Sequence, residues 1–139
     1  MRAQRKESKA HEIKFVERFE KGLKLLRTLS NQGTAIVVEG VKDITALRGL
    51  GLTGPIHSLA GHSVVSLADE LASVKTLLIL FDFDRRGEQL ARQLATQLEG
   101  RGVTLLLKER SQLRRAFCWR VRVIEGLKQS DDTSKGAKF

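Results

Sequence analysis

The 139-residue chain has no tyrosine, one cysteine, one proline and one tryptophan. Without tyrosine it cannot by itself form a covalent phosphotyrosine bond with a nucleic acid. With only Cys118 it can form neither an intrachain disulfide nor a multi-cysteine zinc site, and a lone thiol suits a reducing compartment. Cys118 lies between Phe117 and Trp119 with no histidine nearby in sequence, which suits a core or interface thiol better than a nucleophile. No apolar run approaches the roughly 18 residues of a membrane span, and no basic start is followed by an apolar stretch. The expectation is a soluble, cytoplasmic protein without signal peptide or membrane contact. Aromatics are also scarce: Phe15, Phe19, Phe81 and Phe83 fit core positions, which leaves Trp119 as the one candidate for stacking on a base.

Positive charge is plentiful and unevenly placed. The net charge is +9, yet residues 28–107 carry seven Lys or Arg against eight acids. Residues 1–27 carry nine against four, and residues 108–139 again nine against four. A nearly neutral centre between basic flanks suits a protein that grips a polyanion. The same charges also suit two solvated helical faces, so composition alone does not name a nucleic acid as partner.

A chain of this length makes one domain, residues 1–139, with no repeat or low-complexity linker. Ile13, Val16, Phe19, Leu23, Leu26 and Leu29 recur at three- and four-residue spacing, predicting a basic amphipathic helix over about 8–29 that ends at Asn31, Gln32 and Gly33. A strand at 35–39, a helix at 42–50, a break at Gly51, Gly54 and Pro55, and a strand at 56–59 follow. Ser63 caps a helix over 64–73. A strand at 76–81, a helix at 86–100 with Leu90, Leu94 and Leu98 on its buried stripe, and a strand at 103–107 complete the core. A second basic amphipathic helix is expected over about 109–128, marked by Leu113, Phe117, Val121, Ile124 and Leu127, then a disordered tail at about 129–139. The β-α-β-α-β-α-β order demands an α/β fold: a four-stranded, mostly parallel, Rossmann-like sheet with helices on both faces, flanked by the two terminal helices.

Two of the strands end in acid. Residues 36–43 read IVVEGVKD and residues 77–87 read LLILFDFDRRG. An apolar, β-branched run that stops at a carboxylate is how a parallel strand delivers a functional group to the carboxyl edge of a sheet. Asp and Gly also end strands as ordinary turn formers. If the third strand continues through them, Asp82 and Asp84 face the same way and Phe83 the other.

The two segments together resemble the TOPRIM domain shared by bacterial-type primases, topoisomerases and some nucleases. Its signature is an apolar strand ending in Glu-Gly, then a strand ending in Asp-x-Asp. Asp82-Phe83-Asp84-Arg85-Arg86-Gly87 matches the Asp-x-Asp-x-x-Gly form of the primase and ribosomal-RNA maturase ribonuclease branch, and the size is that of small standalone TOPRIM proteins. The likeness covers about residues 33–107. It implies that Glu39, Asp82 and Asp84 form a catalytic, all-oxygen site for Mg²⁺ or Mn²⁺. Glu39 would share the metal or act as general acid and base. Gly40 and Gly87 would allow tight turns and close approach. Asp43 would support the site or simply meet the dipole of its own helix. His62 would sit on the same edge, and Lys42, Arg85 and Arg86 would contact phosphate.

The resemblance thus implies a Mg²⁺-dependent phosphodiesterase acting on nucleic acid, with RNA favoured over DNA. The missing tyrosine excludes a self-contained topoisomerase, and the missing zinc module argues against a primase. Two other readings remain: a noncatalytic nucleic-acid-binding or ribonucleoprotein-assembly module, and nucleotidyl transfer with a partner subunit. Association with a partner protein or a second copy through the amphipathic arms is open.

Overall fold

The computed structural model describes residues 2–117. The elements are α1 (Arg2–Asn31), β1 (Ala35–Val38), α2 (Val41–Gly49), β2 (Ile56–Ser58), α3 (Val64–Leu71), β3 (Thr76–Ile79), α4 (Arg85–Leu98), β4 (Thr104–Leu105) and α5 (Leu107–Phe117). The expected tail at 129–139, the second half of the C-terminal helix, Cys118 and Trp119 lie outside the described residues.

The four strands form one all-parallel sheet in the order β2-β1-β3-β4. Its two central strands, β1 and β3, are apolar on both sides because both sides are covered, as parallel sheets require. Ile36, Val38, Leu78 and Leu80 face one core with Phe19, Leu23 and Leu26 of α1, Leu47 of α2 and Leu113 and Phe117 of α5. Ala35, Val37, Leu77 and Ile79 face the other with Leu67 and Leu71 of α3 and Leu94 and Leu98 of α4. The alternation along β1 and β3 is thus split between two cores by the two-residue period of a strand. Both terminal helices, so far as they are described, pack on the first face.

Local chemistry sets the boundaries. Gly33 ends α1 with φ of 87°, its N–H donating to the Ser30 carbonyl while Thr34 N–H reaches back to Leu29, a Schellman stop. Ser63 Oγ accepts from Ser66 N–H at 3.1 Å and starts α3 as its sequence position suggests. From Phe19 through Leu23, Leu26 and Leu29 the buried stripe of α1 is the expected one; in the turn before it Phe15 is buried, while Ile13 is 59% exposed.

Two strands are shorter than their apolar runs. Instead of 103–107, β4 is only Thr104–Leu105, because Leu106 turns the chain into α5, whose Arg110 N–H bonds back to the Leu106 carbonyl. Instead of 76–81, β3 ends at Ile79. Leu80 N–H still donates to the Val37 carbonyl at 2.8 Å, but beyond it neither neighbouring strand offers a ladder. Phe81 still follows the alternation into the second core, and Phe83 breaks it by entering the first. The premise that Asp82 and Asp84 share one face of a continuing strand therefore does not hold; they stand on a turn.

Candidate acidic site at the sheet switch point

β1 and β3 lie side by side, while β1 connects outward to β2 and β3 outward to β4. The crevice beyond their carboxyl ends is the topological switch point, where open α/β sheets take their ligands. Glu39 directly follows β1, and Asp82 follows β3 after Leu80 and Phe81.

Glu39 is the most perturbed group there. Its pKa rises from 4.5 to about 7, first through burial, then through the charge of Asp82, a hydrogen bond shared with Asp82, and the charge of Asp84. The exposed Arg86 guanidinium pulls the other way. Glu39 Oε1 is buried with no hydrogen-bond partner among the described residues. A carboxylate oxygen removed from water and left unpaired costs on the order of 1–3 kcal/mol, and more when charged. The site therefore carries an unmet demand for a proton or a cation.

Asp84 has a second task. It is the N-cap of α4, its Oδ1 accepting from Gly87 N–H at 2.7 Å. Gly87 must lack a side chain, since a Cβ there would stand 1.9 Å from the Asp82 carbonyl oxygen. The Asp-x-Asp-x-x-Gly spacing is thus a helix start in itself: the second acid caps, and the glycine three residues on lets the helix pack against the backbone of the first. Gly40 is less constrained. Its φ of −135° suits any residue, and a Cβ would meet only Asp43 Oδ2 at 3.7 Å. Asp43 is buried and accepts from Gly40 N–H at 3.0 Å, so it fastens the start of α2 beside Glu39.

Lys42, Arg85 and Arg86 are exposed on the first turns of α2 and α4. His62 is exposed in the turn after β2, its N–H bonded to the Leu59 carbonyl. The structure brings Glu39 and Asp82 into contact, holds Asp84 within electrostatic reach, and has His62 in the turn that follows the edge strand β2. Among the described residues no three His, Cys, Asp or Glu side chains form a ready-made metal cage.

Arg110 was not anticipated. It is buried, donates to the carbonyls of Ile79 at 2.7 Å and Phe81 at 3.3 Å, and pairs with Glu88 Oε1 at 2.8 Å. Its guanidinium carbon lies 5.1 Å from the Phe83 ring centre. It takes the place of the strand neighbour that the short β4 does not provide, and so fixes the turn carrying Asp82. The clue in the sequence is an arginine on an otherwise apolar stripe, Leu106, Arg110, Leu113 and Phe117.

A parallel sheet with an acidic pair at its switch point defines an α/β domain with carboxylates gathered at its carboxyl edge. The Toprim domain model matches residues 34–118, and the chain belongs to the Toprim domain family. It is 34% identical over 101 residues to a UPF0292 protein of Thermococcus gammatolerans, covering 73% of this chain and 76% of that one. It is 35% identical over 101 residues to one of Methanocaldococcus jannaschii, covering 70% and 79%. A solved protein from Aquifex aeolicus superposes with a TM-score of 0.64 at 25% identity, covering 76% of this chain and 94% of that one. Family membership ties the chain to metal-dependent, nucleic-acid-related activity. No described helix is long and apolar enough to cross a membrane.

Proposed function

We propose that the protein is a Mg²⁺- or Mn²⁺-dependent phosphodiesterase that cleaves nucleic acid, structured RNA in preference to DNA. The observation that carries this reading is the Glu39–Asp82 pair at the switch point, with Glu39 Oε1 buried and unpartnered. The donor set fits a hard divalent cation: all the candidate donors are carboxylate oxygens, and Mg²⁺ commonly uses one or two carboxylates and completes its shell with water and substrate phosphate. Glu39 and Asp82 would hold the ion, with Asp84 offering the oxygen not spent on Gly87. When bound, such a cation neutralises charge developing on the phosphate and lowers the pKa of the attacking water.

The chain's own residues supply the rest. Arg86, Arg85 and Lys42 are exposed beside the pair and suited to orient a phosphate by charge-assisted hydrogen bonds. Where Asp82 and Asp84 hold the ion instead, Glu39 is left for general acid and base work, to which the upward shift of its pKa in the metal-free site is suited. Asp43 and His62 would support the edge, Asp43 by holding the backbone next to Glu39. The RNA preference rests on the resemblance of residues 82–87 to the maturase branch.

The test is cleavage of labelled structured RNA and matched DNA with Mg²⁺, Mn²⁺ or chelator by wild type, Asp82→Asn and Asp84→Asn. Metal-dependent products from wild type and their loss in both variants support the reading; products that persist in both refute it. The engagement of Asp84 as a helix cap favours a second reading, a noncatalytic nucleic-acid-binding module whose acidic edge holds a structural cation. It corresponds to salt-sensitive binding without products.

A further inference from the structure

Because β4 covers only Thr76 and Leu77 of its neighbour, the outer edge of β3 is open from Ile79 onward. α4 and α5 close over that edge and leave a groove of about 230 Å³ between them, floored by Ile79. Its walls carry Arg92 from α4 and Arg110, Ser111 and Arg114 from α5, with Glu88 as its acid. Glu88 is already paired with Arg110. Arg92 and Arg114 are exposed, and among the described residues neither is in an ion pair. Two unneutralised guanidinium groups thus face one concave surface, with a serine hydroxyl beside them.

The groove adjoins the acidic turn. Arg110 in its wall donates to the Phe81 carbonyl, one residue before Asp82, and Glu88 is one helical turn beyond Asp84. Arg92 is seven residues into α4 from Arg85, about 10 Å along the axis at 1.5 Å per residue. That span is of the order of one to two nucleotide steps of an extended strand, more than the reach of one phosphate.

We infer that the α4–α5 groove is a second phosphate-binding subsite, in which Arg92, Arg114 and Ser111 hold the backbone of a nucleic acid one to two nucleotides away from the phosphate at the Glu39–Asp82 edge. The inference rests on the proposed nucleic-acid substrate and gives it a direction: the strand leaves the switch point along the side of β3 that β4 leaves open, away from β2 and His62. Guanidinium forks match phosphate oxygens bidentately, which favours this ligand over a diffuse counterion cloud.

The experiment is the salt dependence of binding, with chelator present so that no cleavage intervenes. Labelled RNA hairpin and matched DNA are titrated against wild type, Arg92→Gln/Arg114→Gln and a charge-matched control, Lys24→Gln/Lys75→Gln. At about 0.7–0.9 per neutralised phosphate, the groove variant is expected to flatten the slope of log K against log salt by about 1.4–1.8. The control is expected to flatten it less. Equal slopes for the groove variant and wild type overturn the inference, as does a flattening no larger than the control's. Binding of polyglutamate but of no nucleic acid by wild type, lost in the groove variant, overturns it in favour of an acidic peptide. Cleavage by wild type with Mg²⁺ and an unchanged slope defeats the subsite alone. A flattened slope without any cleavage defeats the phosphodiesterase reading and leaves the subsite standing.

Discussion

At Gly87 and Glu39 the constraints differ in kind, one steric and one electrostatic. Gly87→Ala forces a Cβ against the Asp82 backbone, where no flexible side chain can give way. It is expected to cost on the order of 1–3 kcal/mol in urea unfolding, whereas Gly40→Ala is expected to cost less than about 1 kcal/mol. Equal costs would show that the helix start does not depend on that contact. For Glu39 the effect depends on pH. Between 4.5 and about 7 the native protein retains a proton that the unfolded chain has released. Stability of the metal-free protein therefore falls as pH rises through that window, and Glu39→Gln is expected to flatten the dependence. Urea melts at pH 5, 6 and 8 with chelator present would show it; a wild-type profile rising between pH 5 and 8 through this group would contradict the shift. Glu39, Asp82 and Asp84 were legible as candidates because acids ending apolar runs are conspicuous. The capping duty of Asp84 was not, because it depends on where β3 stops.

The order of helices and strands follows from hydrophobic period and the glycine breaks. The ends of β3 and β4 do not, since an apolar run looks the same whether it lies in a ladder or packs as a turn into two cores, as Phe81 and Phe83 do. Arg110 escaped for a related reason: amphipathic spacing marks which positions are buried, and a basic residue on that stripe is seen as an exception until β4 proves too short to serve β3. Arg110→Met keeps much of the side chain's bulk but leaves Glu88 and the carbonyls of Ile79 and Phe81 without it. Removing one partner of a largely buried ion pair costs about 3–5 kcal/mol, and a loss in the lower part of that range is expected by urea denaturation, since Glu88 keeps some solvent contact. A loss below about 1 kcal/mol would mean that α5 is held by Leu113 and Phe117 alone. Asp84→Ala is expected to cost about 1 kcal/mol as a lost N-cap, while Asp84→Asn, a good cap, is expected to leave stability nearly unchanged. Asparagine is therefore the substitution that separates chemistry from folding.

At the scale of the whole molecule, the chain carries a net charge of +9, while the switch point of its sheet is acidic. In the proposed function, basic residues on α4 and α5 would draw a polyanion in, and the carboxylates at the switch point would need a cation before a phosphate could approach them. The most direct measurement is Mn²⁺ binding, followed by electron paramagnetic resonance and calorimetry at pH 8, for wild type and Asp82→Asn. Uptake of Mn²⁺ by wild type, displaced by excess Mg²⁺ and lost in a folded Asp82→Asn variant, is the predicted result. Equal uptake by both proteins, or none by wild type, would contradict a divalent-cation site between Glu39 and Asp82.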